Sequence, residues 1–343
     1  MTRVEKTKKT TIYDLAELTG VSASAVSAIL NGNWKKRRIS ASLAEKVTRI
    51  AQEQGYAVNR QASLLRSKKS NVIGMIVPKY DNRYFGSIAE KFEEMARARG
   101  LLPIITCTRR QPELELDAAR AMLSWQVDWV IATGATHPDK IAELCHQAGV
   151  PTLNLDLPGT LAPSIISDNY GGAKMLTERI LASSFKRFGL LAPLTFVGGR
   201  RSDNNTAERL RGFLDAHQAH GLTVPEQQLL VTGYSSSRVE EQLRATFPSP
   251  STALKGLFVN STISLEGVVR WLAQYGQTGQ NQPPMGCFDW DPFVSLLGHD
   301  IDMVRQDVPA MLEKVFEILD AGDTSVRRIE IPPELIGSQS VTG

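Results

Sequence analysis

The side chains most able to do chemistry in this 343-residue chain are its cations, and they are unevenly spread. The first 70 residues carry 14 Lys and Arg against 5 Asp and Glu, while the other 273 carry 25 against 31. A head at +9 and a body at −6 thus hide behind a net charge of +3. That split implies a polyanion for the head, because neutralised phosphates release counterions and supply affinity that does not depend on base sequence. The alternative is a solvated basic tail. Four cations run consecutively, Lys35-Lys36-Arg37-Arg38, and suit phosphate contacts that position a module without reading bases. Other reactive types point away from catalysis. His137, His146, His217, His220 and His299 sit in no nucleophile-base motif. Cys107, Cys145 and Cys287 are odd in number and far apart, which fits neither disulfides nor a metal knot, so all three read as buried apolar thiols. No Gly-rich phosphate loop occurs. The expectation is no catalytic residue, no metal and no cofactor.

The elements that must carry these groups can be read in turn. In TIYDLAELTGVSASAVSAILNG, Thr11 with Asp14 three residues on forms a capping box, and Ile12, Leu15 and Ala16 give the helix an inward face. Gly20 makes a turn, Ser22 caps a second helix with an apolar stripe of Val26, Ile29 and Leu30, and Asn31-Gly32 ends it. A third helix from Ser40 buries Leu43, Val47 and Ile50, completing a helix-turn-helix unit. The second helix shows Ser22, Ala23, Ser24, Ser27 and Ala28 outward, small enough for close approach to base edges in a major groove.

From Asn71 short apolar runs alternate with amphipathic segments: VIGMIVP, a helix through Ile88, Phe92 and Met95, LLPIIT, a helix from Leu116 to Leu123, then VDWVIAT. The alternation restarts near Asp168, with a helix from Gly171 to Ala182 and the runs LTFVGG, GLFV and MGCFD. This βαβ pattern predicts parallel sheets covered by helices, with ligands beyond the carboxyl ends of the strands. Two similar lobes and a cleft follow. With 42% hydrophobic residues, no run near the ~20 needed to span a bilayer, and no apolar core behind the first charges, a cytoplasmic protein without membrane contact is expected.

The head string resembles the LacI/GalR family of bacterial transcription regulators nearly residue for residue, and the likeness runs across almost the whole chain. It implies a helix-turn-helix domain at 1–58, a hinge helix and linker at 59–70, and a two-lobed, periplasmic-binding-protein-like effector and dimerisation domain at 71–343. The fold class is then an all-α headpiece plus an α/β body. The resemblance places Ala23, Ser24 and Ala28 at base-reading positions, where many relatives carry larger polar groups. The expected DNA surface comprises Thr11, Ser22, Ala23, Ser24, Ser27, Ala28 and Asn31, with Lys35 and Arg37 on the loop. In GYAVNRQASLLRSKKS it puts Asn59 and Ala62 along the minor groove and Leu65 as a wedge between central base pairs. Leu65 could instead be a linker residue packed on the body. Val58 stands where the family has proline.

The same resemblance sets the effector contacts. Lys79, Arg83, Tyr84 and Phe85 lie in the first ligand loop, although Tyr84 and Phe85 would also serve as plain helix-start packing. Asp156 matches an acidic cleft position, followed here by Leu157 where fructose-type relatives have Arg. Arg209, with Asn204 or Asn205 beside it, then Asn260, Asp289 and Gln306, complete the set. Arg209 and Asp289 could equally form an internal salt bridge. Asp, Asn and Arg suit a polyol, since carboxylates accept from adjacent hydroxyls and a guanidinium donates to oxygens or a phosphate. Lys79 and Arg83 would favour a phosphorylated or carboxylated ligand, or be a solvated pair. The extended WKKRRIS loop resembles the fructose and sucrose regulators. The expected partners are double-stranded operator DNA, a sugar or sugar-phosphate effector and a second copy of the chain, since a terminal heptad helix for tetramers is lacking. A sugar-binding protein without a regulatory role is the rival reading.

Overall fold

The computed structural model describes residues 10–56, 69–248, 254–275, 282–297 and 301–337. Two compact units divide the chain, Met1–Ser70 and Asn71–Gly343.

Among its described residues the first unit has three helices, α1 (Ile12–Thr19), α2 (Ala23–Leu30) and α3 (Ala41–Glu53). Each begins at a hydroxyl that accepts from an otherwise orphaned backbone N–H: Thr11 from Asp14, Ser22 from Ala25 and Ser40 from Leu43. The Thr11 N–H donates to Asp14 at 2.7 Å, closing the box. Gly20 leaves α1 at φ 73, a left-handed turn open to glycine, and sends α2 back across it. Leu15, Val26, Ile29, Ala44, Val47 and Ala51 form the small core. Trp34 and Ile39, both partly buried, fasten the following loop onto it, and the Ile39 N–H donates to the Trp34 carbonyl at 3.0 Å. Lys35, Lys36, Arg37 and Arg38 between them are all exposed.

Among its described residues the second unit holds two six-stranded sheets. In the first lobe run β1 (Val72–Val77), α4 (Arg83–Ala98), β2 (Leu102–Cys107), α5 (Pro112–Ser124), β3 (Trp129–Thr133), α6 (Pro138–Gln147), β4 (Thr152–Leu155) and β5 (Ser164–Ser167). The second lobe follows with α7 (Asn169–Phe188), β6 (Thr195–Val197), α8 (Asn204–Ala219), β7 (Leu229–Leu230), α9 (Ser236–Thr246), β8 (Leu257–Val259), α10 (Thr262–Gln274), β9 (Met285–Phe288) and β10 (Ile301–Arg305). The chain then returns: α11 (Val308–Ala321) packs Val308, Met311, Leu312, Val315 and Phe316 into the first lobe's core, and β11 (Arg328–Ile331) pairs with β5. It crosses again so that β12 (Glu334–Ile336) lies antiparallel to β10.

The strand orders are β2-β1-β3-β4-β5-β11 and β7-β6-β8-β9-β10-β12, the same plan twice. All pairings but β10 with β12 are parallel. Inner strands such as β1 are buried along their length because helices cover both faces, which explains the continuous apolar run VIGMIV. Three passages of the chain between sheets tie the lobes together. β4 and β9 hold the equivalent fourth place and end in the same way, on aspartates with φ 74, Asp156 and Asp289. Among the described residues no helix is long and apolar enough to cross a membrane.

Candidate functional site

In the head, Ser22 and Ser24 are exposed at the start of α2, with their hydroxyls 3.0 Å apart. Ala23 and Ser27 are half-buried, and the Asn31 amide donates to the Ser27 carbonyl at 2.8 Å and its hydroxyl at 3.3 Å. Thr11 is exposed but committed to its cap. Ala28 differs from expectation: only 9% exposed, it does not face outward with the others. The chain after Gly32 folds back so that the Asn33 N–H donates to the Ala28 carbonyl, closing over that side of α2. Tyr13, 75% exposed, is a surface aromatic beside the Thr11 cap that the sequence reading passed over. Lys35 stands over the Trp34 ring at 5.3 Å, and none of Lys35, Lys36, Arg37 and Arg38 is in an ion pair among the described residues. Asn59, Ala62 and Leu65 lie outside the described residues.

In the body, the carboxyl ends of the strands bring seven expected residues into one continuous network. Tyr84, in the first turn of α4, donates its hydroxyl to Asp156 Oδ1 at 3.1 Å. Asn205 of the other lobe donates to the same oxygen at 3.1 Å, so Asp156 bridges the cleft. Asn169, the first residue of α7, donates to Asn205 at 3.1 Å and accepts from Arg209 Nε at 2.8 Å. Arg209 also donates to the Asn260 carbonyl at 2.6 Å, lies 3.7 Å from the centre of the Phe288 ring and reaches within 4.0 Å of Asp289. Asp289 in turn accepts from Gln306 at 2.5 Å. Asp156, Asn169, Asn205, Arg209, Asn260, Asp289 and Gln306 are all buried.

Such burial is costly for charge and shifts the acids. Desolvation pushes the Asp156 carboxyl up to about 6, against the pull of Arg110 and Arg209. Asp289 is raised by the same cause, with Arg209 and the Gln306 amide holding it down. Burial, with the two carboxylates nearby, drives the Tyr84 phenol well above its ordinary range, so it remains a donor. Three polar atoms close to this network, Asn204 Nδ2, Asn260 Oδ1 and Gln306 Oε1, are buried without a hydrogen-bond partner. Buried unpaired groups cost about 1–3 kcal/mol each, a debt that a hydroxylated ligand would remove.

The remaining expected contacts lie beside this network, and Arg83 lines a cavity together with Tyr84, Asp289 and Gln306. Lys79 pairs with Asp81 at 3.7 Å and Arg83 with Asp291 at 3.1 Å, so both cations face carboxylates. Phe85 is buried in the first lobe's core, its ring 5.0 Å from Tyr84. Arg209 and Asp289 approach each other and still belong to the cleft. Cys145 and Cys287 are buried, whereas Cys107 is partly exposed because β2 is an edge strand. Asn169 was missed by sequence reasoning, although its place just after Asp168, where the lobe pattern restarts, marks a helix start at the cleft.

Comparison with known proteins gives two family matches, "Bacterial regulatory proteins, lacI family" at residues 11–59 and "Periplasmic binding protein domain" at residues 73–297. The ribitol operon repressor of Klebsiella aerogenes is 83% identical over 195 residues, 57% of this chain and 72% of the relative. This chain belongs to the lacI family. As a lacI-family protein it is a DNA-binding transcription regulator and not an enzyme. The sucrose operon repressor of Klebsiella pneumoniae, another family member, is 29% identical over 315 residues, 92% of each chain. In fold, the structure is similar to the lac repressor dimer bound to operator and the anti-inducer ONPF, with 21% identity, a TM-score of 0.79 and coverage of 97% of this chain and 99% of that one.

Proposed function

We propose that this regulator is the repressor of a ribitol-utilisation operon, working as a homodimer in the cytoplasm and binding the free pentitol in its cleft. The observation that carries the reading is the pair Asp156 and Asp289, each at the end of the fourth strand of its lobe with φ 74. Two acceptors offered by equivalent strand ends suit a ligand with hydroxyl donors at both ends, as an open-chain polyol has. The unpartnered Asn204, Asn260 and Gln306 atoms supply further donors and acceptors for the middle hydroxyls. With Lys79 and Arg83 already paired, an uncharged polyol is favoured over its phosphate. The 83% identity with a ribitol operon repressor supports the same choice.

On the DNA, the exposed cations of the 35–38 loop hold phosphates and α2 enters the major groove of each half-site, with Ser22, Ala23, Ser24, Ser27 and Asn31 nearest the bases. Its direct code is thin, so backbone contacts and hinge bending by Asn59, Ala62 and Leu65 carry much of the affinity. Effector binding changes the lobe angle and with it operator affinity. Titration calorimetry of the full chain with ribitol, ribitol 5-phosphate and sucrose tests the reading. Ribitol is expected to bind at least tenfold more tightly than the other two; equal or tighter binding of the phosphate ester would sink it.

A further inference from the structure

Arg110 is absent from the expected contacts, yet its guanidinium reaches from one lobe to the other. It follows β2 at the edge of the first sheet, and both it and Arg109 take left-handed backbone, φ 56 and 54. Two successive non-glycine residues in that region are unfavourable, and such outliers gather where the placement of a side chain matters. Here the turn aims Arg110 across the cleft. Its guanidinium carbon lies 5.6 Å from the Phe85 ring centre in its own lobe and 4.9 Å from the Tyr234 ring centre in the other. Tyr234 follows β7, the edge strand of the second sheet, so the clasp joins topologically matching edges.

The nearest carboxylate, Asp203, is 3.9 Å away and already engaged. It caps α8, accepting from the Asn205 N–H at 2.9 Å, and accepts from the Tyr234 hydroxyl at 2.7 Å. At 3.9 Å it balances the charge of Arg110 without taking a short hydrogen bond. Among the described residues Arg110 makes no side-chain hydrogen bond, although its side chain is only 25% exposed. A planar fork of donors is therefore oriented by two rings, charge-balanced and uncommitted. Its charge opposes the burial that raises both cleft acids, Asp156 and Asp289.

We propose that Arg110 is an effector contact and the clamp of the cleft, donating to adjacent hydroxyl oxygens of a bound polyol while Tyr234 and Asp203 hold it against the second lobe. Ligand occupancy and lobe closure are then coupled through one side chain. The ligand class rests on the polyol reading above, while the clamp itself stands on the interlobe geometry.

The test uses the full chain and three variants, Arg110→Met, Arg110→Lys and Tyr234→Phe. Ribitol calorimetry is the first arm and small-angle scattering of effector-free protein the second, with thermal melting to show that each variant folds. Arg110→Met is expected to weaken ribitol at least tenfold, Arg110→Lys less so because the charge remains without the fork, and Tyr234→Phe least because the ring is kept. Arg110→Met is also expected to enlarge the effector-free radius of gyration. Where the parent protein binds ribitol, an Arg110→Met affinity within twofold of the parent overturns the proposal. Where the parent binds no ribitol, the polyol reading falls and scattering judges the clamp: an enlarged radius upholds it and an unchanged one overturns it.

Discussion

The two lobes end their fourth strands on the same residue in the same backbone conformation and then surround it differently. In the first lobe, among the described residues, the Asp156 side chain receives hydrogen bonds from neutral groups, the Tyr84 hydroxyl and the Asn205 amide, and burial leaves its carboxyl at about 6. In the second lobe Asp289 has the Arg209 guanidinium at 4.0 Å and the Gln306 amide at 2.5 Å. Duplicated topology therefore repeats a position without repeating its electrostatics. The second lobe's acid, raised by burial as well, has a guanidinium and an amide of its own lobe beside it. The first lobe holds an under-compensated one, which a ligand's hydroxyls would stabilise.

That contrast breaks most visibly at Arg209. Arg209→Met removes the bonds to Asn169 and the Asn260 carbonyl and leaves Asp289 buried without its cation. A loss of about 3–5 kcal/mol of unfolding free energy is expected. Urea denaturation measures it, and a loss below about 1 kcal/mol would contradict the part given to Arg209.

The first lobe should respond in the opposite sense. Because the folded pKa of Asp156 is raised from 3.8 to about 6, the favourable contribution of the protonated acid is fully present below about 4 and is lost as pH rises through 6. Asp156→Asn keeps an acceptor for Tyr84 and is expected to stabilise the effector-free protein above pH 6 by up to about 3 kcal/mol, with the gain vanishing toward pH 4. Ribitol affinity should fall in the same variant. Melting curves from pH 4 to 8 would show this, and a pH-independent difference would contradict it.

Much of this arrangement was legible in the chain because its causes are local. Thr11, Ser22 and Ser40 announce their helices by capping chemistry within three residues, and the alternation of apolar runs predicts covered parallel sheets. The cleft acids could be placed because strand ends are where such sheets bind ligands. What escaped depends on contacts distant in sequence. The apolar face of α11 does not say which sheet it covers, so its return to the first lobe was invisible. Ala28 is covered by a loop whose path is set by the anchoring of Trp34 and Ile39. Arg83 meets Asp291 from the other lobe, a pairing across more than 200 residues. Arg110 escaped because a left-handed turn, which few sequences announce without glycine, decides where its side chain points.

Fluorescence anisotropy of the full chain on its own upstream DNA at fixed salt, titrated with ribitol, reads the coupling of cleft to operator in one experiment. Release of the DNA, with at least a tenfold loss of operator affinity that sucrose does not produce, is the predicted result. Operator affinity unchanged at saturating ribitol, or no preference for that DNA over random duplex, would contradict it.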